Sequence, residues 1–81
     1  MTKKDYELIA KAFNGYVTTE YEIRKSLDEM NDNGHKVNRT ANEARIYQLA
    51  ELVGYLSASL SRENEKFDNR KFEIACGFIN N

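Results

Sequence analysis

Between Thr40 and about Glu65, Ile46, Leu49, Val53, Leu56 and Leu60 recur at alternating spacings of three and four residues, the period of one face of an α-helix. Beside this stripe runs a second one of small residues, Ala50, Gly54, Ser57 and Ser61. Glycine inside a helix costs about 1 kcal/mol relative to alanine, so close approach by another backbone is the motive for Gly54. The stretch reads as a helix with two covered sides. One side belongs to another helix of the same chain. The other is covered either by the end of the chain or by a second copy, two copies then pairing into a four-helix homodimer.

Upstream, Tyr6, Ile9, Phe13, Tyr16, Ile23, Leu27 and Met30 fall on the same three-four alternation, interrupted only by Glu20. The pattern predicts one helix over residues 3–31, with Thr2 as N-cap and Asp5 in the first turn. A competing reading breaks it near Gly15, where Val17, Thr18 and Thr19 weaken helix and Thr19 with Glu22 spells a capping box. The register surviving across Gly15 favours the continuous helix. Asn31 to Arg39 is rich in turn formers, with Gly34 placed for a left-handed cap. Thr40 and Glu43 then form a capping box for the second helix, about residues 40–65. In the closing segment Asp68 is an N-cap, Phe67 and Phe72 a hydrophobic staple, and Gly77 a C-cap for a short helix over about residues 69–76. The expected fold is all-α: one small domain over residues 1–81, an antiparallel helical hairpin closed by a short C-terminal helix.

Composition supports this and excludes several functions. There is no proline among the 81 residues, and a chain this short buries only about 60% of its unfolded surface. Self-association would therefore help it. The formal net charge of −1 provides no global field for nucleic acid or an anionic membrane. No apolar run reaches the roughly 20 residues of a spanning helix, and the N-terminus lacks a signal-peptide core. The expectation is a soluble, cytoplasmic protein without membrane association. One His and one Cys form no metal-ligand pattern, and no phosphate loop or nucleotide fingerprint is present. Cys76 lies on an apolar helix face, where a thiol behaves as a small hydrophobe. No catalytic, cofactor-binding or metal-binding residue is expected, and the chain does not read as an enzyme.

Two groups remain as candidate contact residues. Tyr47 and Tyr55 project away from the Ile46 to Leu60 stripe, Glu51 lies between them, and Tyr21 is off the first helix's seam. Tyrosine suits protein interfaces because a large apolar ring carries a polar tip. Lys36, Arg39 and Arg45, with His35, form a local basic cluster over the loop and the start of the second helix, the alternative surface for nucleic acid.

The opening MTKKDYELIA and the closing FDNRKFEIACG resemble the two ends of a family of small phage-encoded proteins, with a D-Y-x-x-I-A start and an F-D-x-x-x-F-x-x-A-C-G ending around a variable middle. Tyr6, Ile9, Phe67, Asp68, Phe72, Cys76 and Gly77 carry the likeness, which spans about 20 residues and leaves Asn14 to Lys66 largely unmatched. It implies an origin in phage or mobile DNA and assigns no activity. With the tyrosines, it leads to the expectation of a non-enzymatic interaction protein that occludes a host or phage protein, such as a host defence component inhibited in the manner of an anti-CRISPR. The alternatives are a small nucleic-acid-binding regulator and a structural or assembly component of a phage particle.

Overall fold

Thr2 opens the first helix, and the Asp5 carboxylate accepts from its backbone N–H at 2.9 Å and its hydroxyl at 3.2 Å. These bonds hold the Asp5 carboxyl below its ordinary pKa. The computed structural model describes residues 2–78. It contains three helices: α1 (Lys3–Asp32), α2 (Thr40–Glu63) and α3 (Asn69–Ala75). Descending α1, Asp28 meets Arg39, Glu20 meets Asn42 and Arg45, Asn14 meets Ala75, and Tyr6 meets Phe67. The hairpin is thus antiparallel, and α3 folds back onto it.

α1 does not break at Gly15. Thr19 donates its hydroxyl to the Gly15 carbonyl at 2.8 Å, and Thr18 to the Asn14 side chain at 3.1 Å. The Thr19 hydroxyl, which would have capped a fresh helix, is spent within the existing one. A tertiary contact also falls on this weak point. Gly77, at φ +104°, lies so close to Val17 that a Cβ there would sit 3.0 Å from Val17 Cγ1.

Two local expectations are corrected. The second helix begins with Thr40 inside it, after Arg39 at the cap, and no side chain of the cap residue closes the end. Instead Asn38 Oδ1 accepts from the Thr40 N–H at 2.7 Å, so an upstream asparagine does the work assigned to Thr40. The α2 helix stops at Glu63, two residues early, with Asn64 extended. The third helix behaves as its signals read. Asp68 accepts from the Lys71 N–H at 3.0 Å, and the Phe67 and Phe72 rings lie 5.4 Å apart, completing the staple.

The core sits where the three helices meet. Ala10, Val53, Leu60, Phe72 and Cys76 are buried together, flanked by half-buried Tyr6, Ile9, Phe13, Leu56, Phe67 and Phe78. The α2 stripe is inward as its spacing predicts, but the α1 seam differs. Tyr16 is 71% exposed and Met30 is also exposed, whereas Ala10 and Val17 are buried. A helix packed against two neighbours presents a wider face than a two-helix seam. The heptad reading was too narrow by one position.

The hairpin is also offset. Asn42, near the start of α2, reaches Glu20, so residues 21–32 of α1 extend past that point and the Asn33–Arg39 connection returns along them. The Val37 N–H donates to Asn31 Oδ1 at 3.0 Å. Gly34, at φ +87°, supplies the left-handed turn. The resulting body is 49 × 21 × 18 Å.

Candidate partner-binding surface

The face of α2 turned away from the core is where the chain departs most from an ordinary solvated surface. With the Ile46 to Leu60 stripe inward, residues a third to a half turn away point out. Tyr47, Glu51 and Tyr55 follow one another at four-residue spacing on that side, with Tyr47 67% and Tyr55 72% exposed. Ala44, Ala50, Gly54 and Ala58 are exposed around them. Glu51 and, one turn before Tyr47, Glu43 are the carboxylates on this side, and Glu43 is paired with Arg39. A side-chain hydrogen bond with Glu51, then its charge, raises the Tyr47 phenol above its ordinary pKa.

Tyr21 does not join them. It lies on α1 beside the α3 end, lining a shallow depression of about 510 Å³ with Thr18, Glu22, Lys25 and Gly77. The small-residue ridge is divided as well. Ser57 is buried and Ser61 half-buried, on the stretch of α2 whose Val53 and Leu60 meet α3 side chains. Ala50 and Gly54 are exposed, and a Cβ added at Gly54 would meet nothing within 4 Å. No packing contact within the described residues requires Gly54.

The basic cluster is largely committed to the fold. Arg39 pairs with Asp28 of α1 through a short contact and with Glu43 of α2 at 3.2 Å. Its pKa is raised, first by the hydrogen bond to Asp28. Arg45 donates to Glu20 Oε1 at 2.8 Å. Lys36 and His35 are exposed and make no ion pair among the described residues. Two of the three cations named for nucleic acid therefore brace the hairpin offset.

Cys76 has 0% exposure. Burial, with a smaller contribution from Glu73, pushes its thiol up to about 11. A protonated, enclosed thiol is a poor nucleophile. Among the described residues no three His, Cys, Asp or Glu side chains gather as metal ligands, and no helix is long and apolar enough to cross a membrane.

Two polar residues were given no role by the sequence pattern: Asn42 is buried, and Glu20 holds both Asn42 and Arg45. A signal existed for Asn42, since extending the Ile46, Leu49, Val53 stripe by one turn toward the N-terminus lands on it. Compared with protein-family models, curated proteins and solved structures, the chain has no match.

Proposed function

We propose that this chain is a non-enzymatic protein-interaction module that acts by occlusion, laying the outer face of α2 against a partner protein. The exposed Tyr47 and Tyr55 carry the proposal. They stand two helical turns apart, about 12 Å, on a surface of alanine and glycine with Glu51 between them. Rigid aromatic anchors on a nearly uncharged patch are what a desolvated interface centre requires. Placement of Tyr21 on α1 makes it a separate contact. The phage-like ends favour a host protein as the partner, with inhibition of a defence component as the role.

The nucleic-acid reading receives less support, because Arg39 and Arg45 would have to abandon carboxylates to reach phosphate. A virion or assembly role would reveal itself as higher-order oligomers at micromolar concentration.

A photo-crosslinking residue placed at Tyr47, and in a parallel sample at Lys36, distinguishes the surfaces in host lysate. We expect one protein cross-linked from position 47, lost when Tyr55→Glu is added and retained when His35→Glu/Lys36→Glu is added. The opposite pattern, with capture of nucleic acid from position 36, sinks the proposal.

A further inference from the structure

Between the N-terminal turns of α1, α3 and the turn joining α2 to α3 lies an open groove of about 490 Å³, within the size range of ligand-binding clefts. Aromatic rings form its wall. Tyr6 and Phe67 have ring centroids 4.9 Å apart, and Phe67 and Phe72 continue the row at 5.4 Å. Ala10 and Ala75 line the same groove, and their small side chains leave it open. It shares no residue with the outer face of α2.

Charge on the rim is unequal. Lys3 lines the groove from α1, and Lys66 and Lys71 line it from the turn and α3. Asp68 is committed to capping α3 through the Lys71 N–H. Glu7 stands 3.9 Å from Lys3, an exposed i,i+4 pair of the weak kind that an incoming carboxylate competes with for Lys3. Lys66 and Lys71 have no ion pair among the described residues.

We propose that this groove receives a peptide segment of a partner protein, one large apolar side chain flanked on both sides by carboxylates. The side chain lies along the half-buried Tyr6 and Phe67 rings, with the buried Phe72 behind them, and the carboxylates meet Lys3 on one rim and Lys66 and Lys71 on the other. Cations on both rims select this occupant over a fatty acid, whose single carboxylate serves only one of them. The apolar contact provides affinity, and the lysines provide register and salt dependence.

The probe is a fluorescein-labelled peptide with Leu-Phe flanked on each side by two Glu residues, followed by fluorescence polarisation against the full chain. We expect saturable binding that weakens with added salt and falls roughly tenfold or more in Lys66→Glu/Lys71→Glu. That variant should instead bind the peptide with Lys in place of Glu, a reversal that loss of folding cannot produce. Ala75→Phe, which fills an exposed position, should remove binding with the helical circular dichroism intact. No saturable binding of the acidic peptide, equal binding of the two peptides to the native chain, or displacement of the probe by dodecanoate overturns the assignment. Tyr47→Glu/Tyr55→Glu should leave this binding unchanged, so the groove and the α2 face are tested separately.

Discussion

Glu20 and Asn42 face each other across the hairpin: the Asn42 side-chain amide donates to the Glu20 backbone carbonyl at 2.9 Å and to its carboxylate at 3.0 Å. Each is the polar member of an otherwise apolar stripe, one on α1 and one at the start of α2. Because each leaves a gap in its own hydrophobic pattern, matching the two fixes the axial offset of the helices. A slide by one turn would bury both against apolar side chains without partners.

Asn42→Ala is expected to destabilise the fold by about 1–3 kcal/mol, since it strips a part-buried carboxylate of a donor. Asn42→Asp should cost more, because it sets a second carboxylate beside Glu20 and removes the donor at once. Urea midpoints of the two variants check the order. Equal midpoints for Asn42→Ala and the native chain would show that the pair does not set the offset.

Two glycines should respond in opposite directions. At Gly54 an added Cβ meets nothing within 4 Å, so Gly54→Ala should gain up to about 1 kcal/mol from helix propensity. If a second copy packs on this ridge, the gain should turn into a loss that grows with protein concentration. At Gly77 the left-handed φ of +104° and the 3.0 Å approach to Val17 Cγ1 act together. Gly77→Ala should therefore destabilise, by roughly 1–3 kcal/mol. Thermal melts at two concentrations read both effects.

Cys76 should stay unreactive toward Ellman's reagent until the chain unfolds. Its folded pKa, near 11, lies above the ordinary 9.0, so the fold prefers the protonated thiol. The corresponding stability is fully present below about pH 9 and is lost as pH rises toward 11. At about 1.4 kcal/mol per pH unit for one proton, the advantage of the native chain over Cys76→Ala should shrink steadily across this window. A difference between the two that is independent of pH from 8 to about 10.5 would contradict the burial of the thiol.

What the chain's linear order determined by itself is the set of helices and most of their ends. Asp68 with Lys71, Phe67 with Phe72, Thr2 with Asp5 and the left-handed Gly34 and Gly77 act over three to five residues, where sequence spacing and spatial spacing are nearly the same thing. The α2 stripe was legible for a related reason: one row of side chains at helical period has one way to face inward. The exposed position of Tyr47 and Tyr55 follows from that row, being its geometric complement. Only the tertiary structure decided the rest. Tyr16 yields to Val17 because Gly77 arrives there from the far end of the chain, widening the buried face of α1. Arg39 and Arg45, an exposed basic cluster in sequence, become braces because the offset set by Glu20 and Asn42 brings Asp28 and Glu20 within their reach. Local signals specify segments; which polar group meets which carboxylate depends on how those segments slide past one another, and that is fixed by contacts between distant residues.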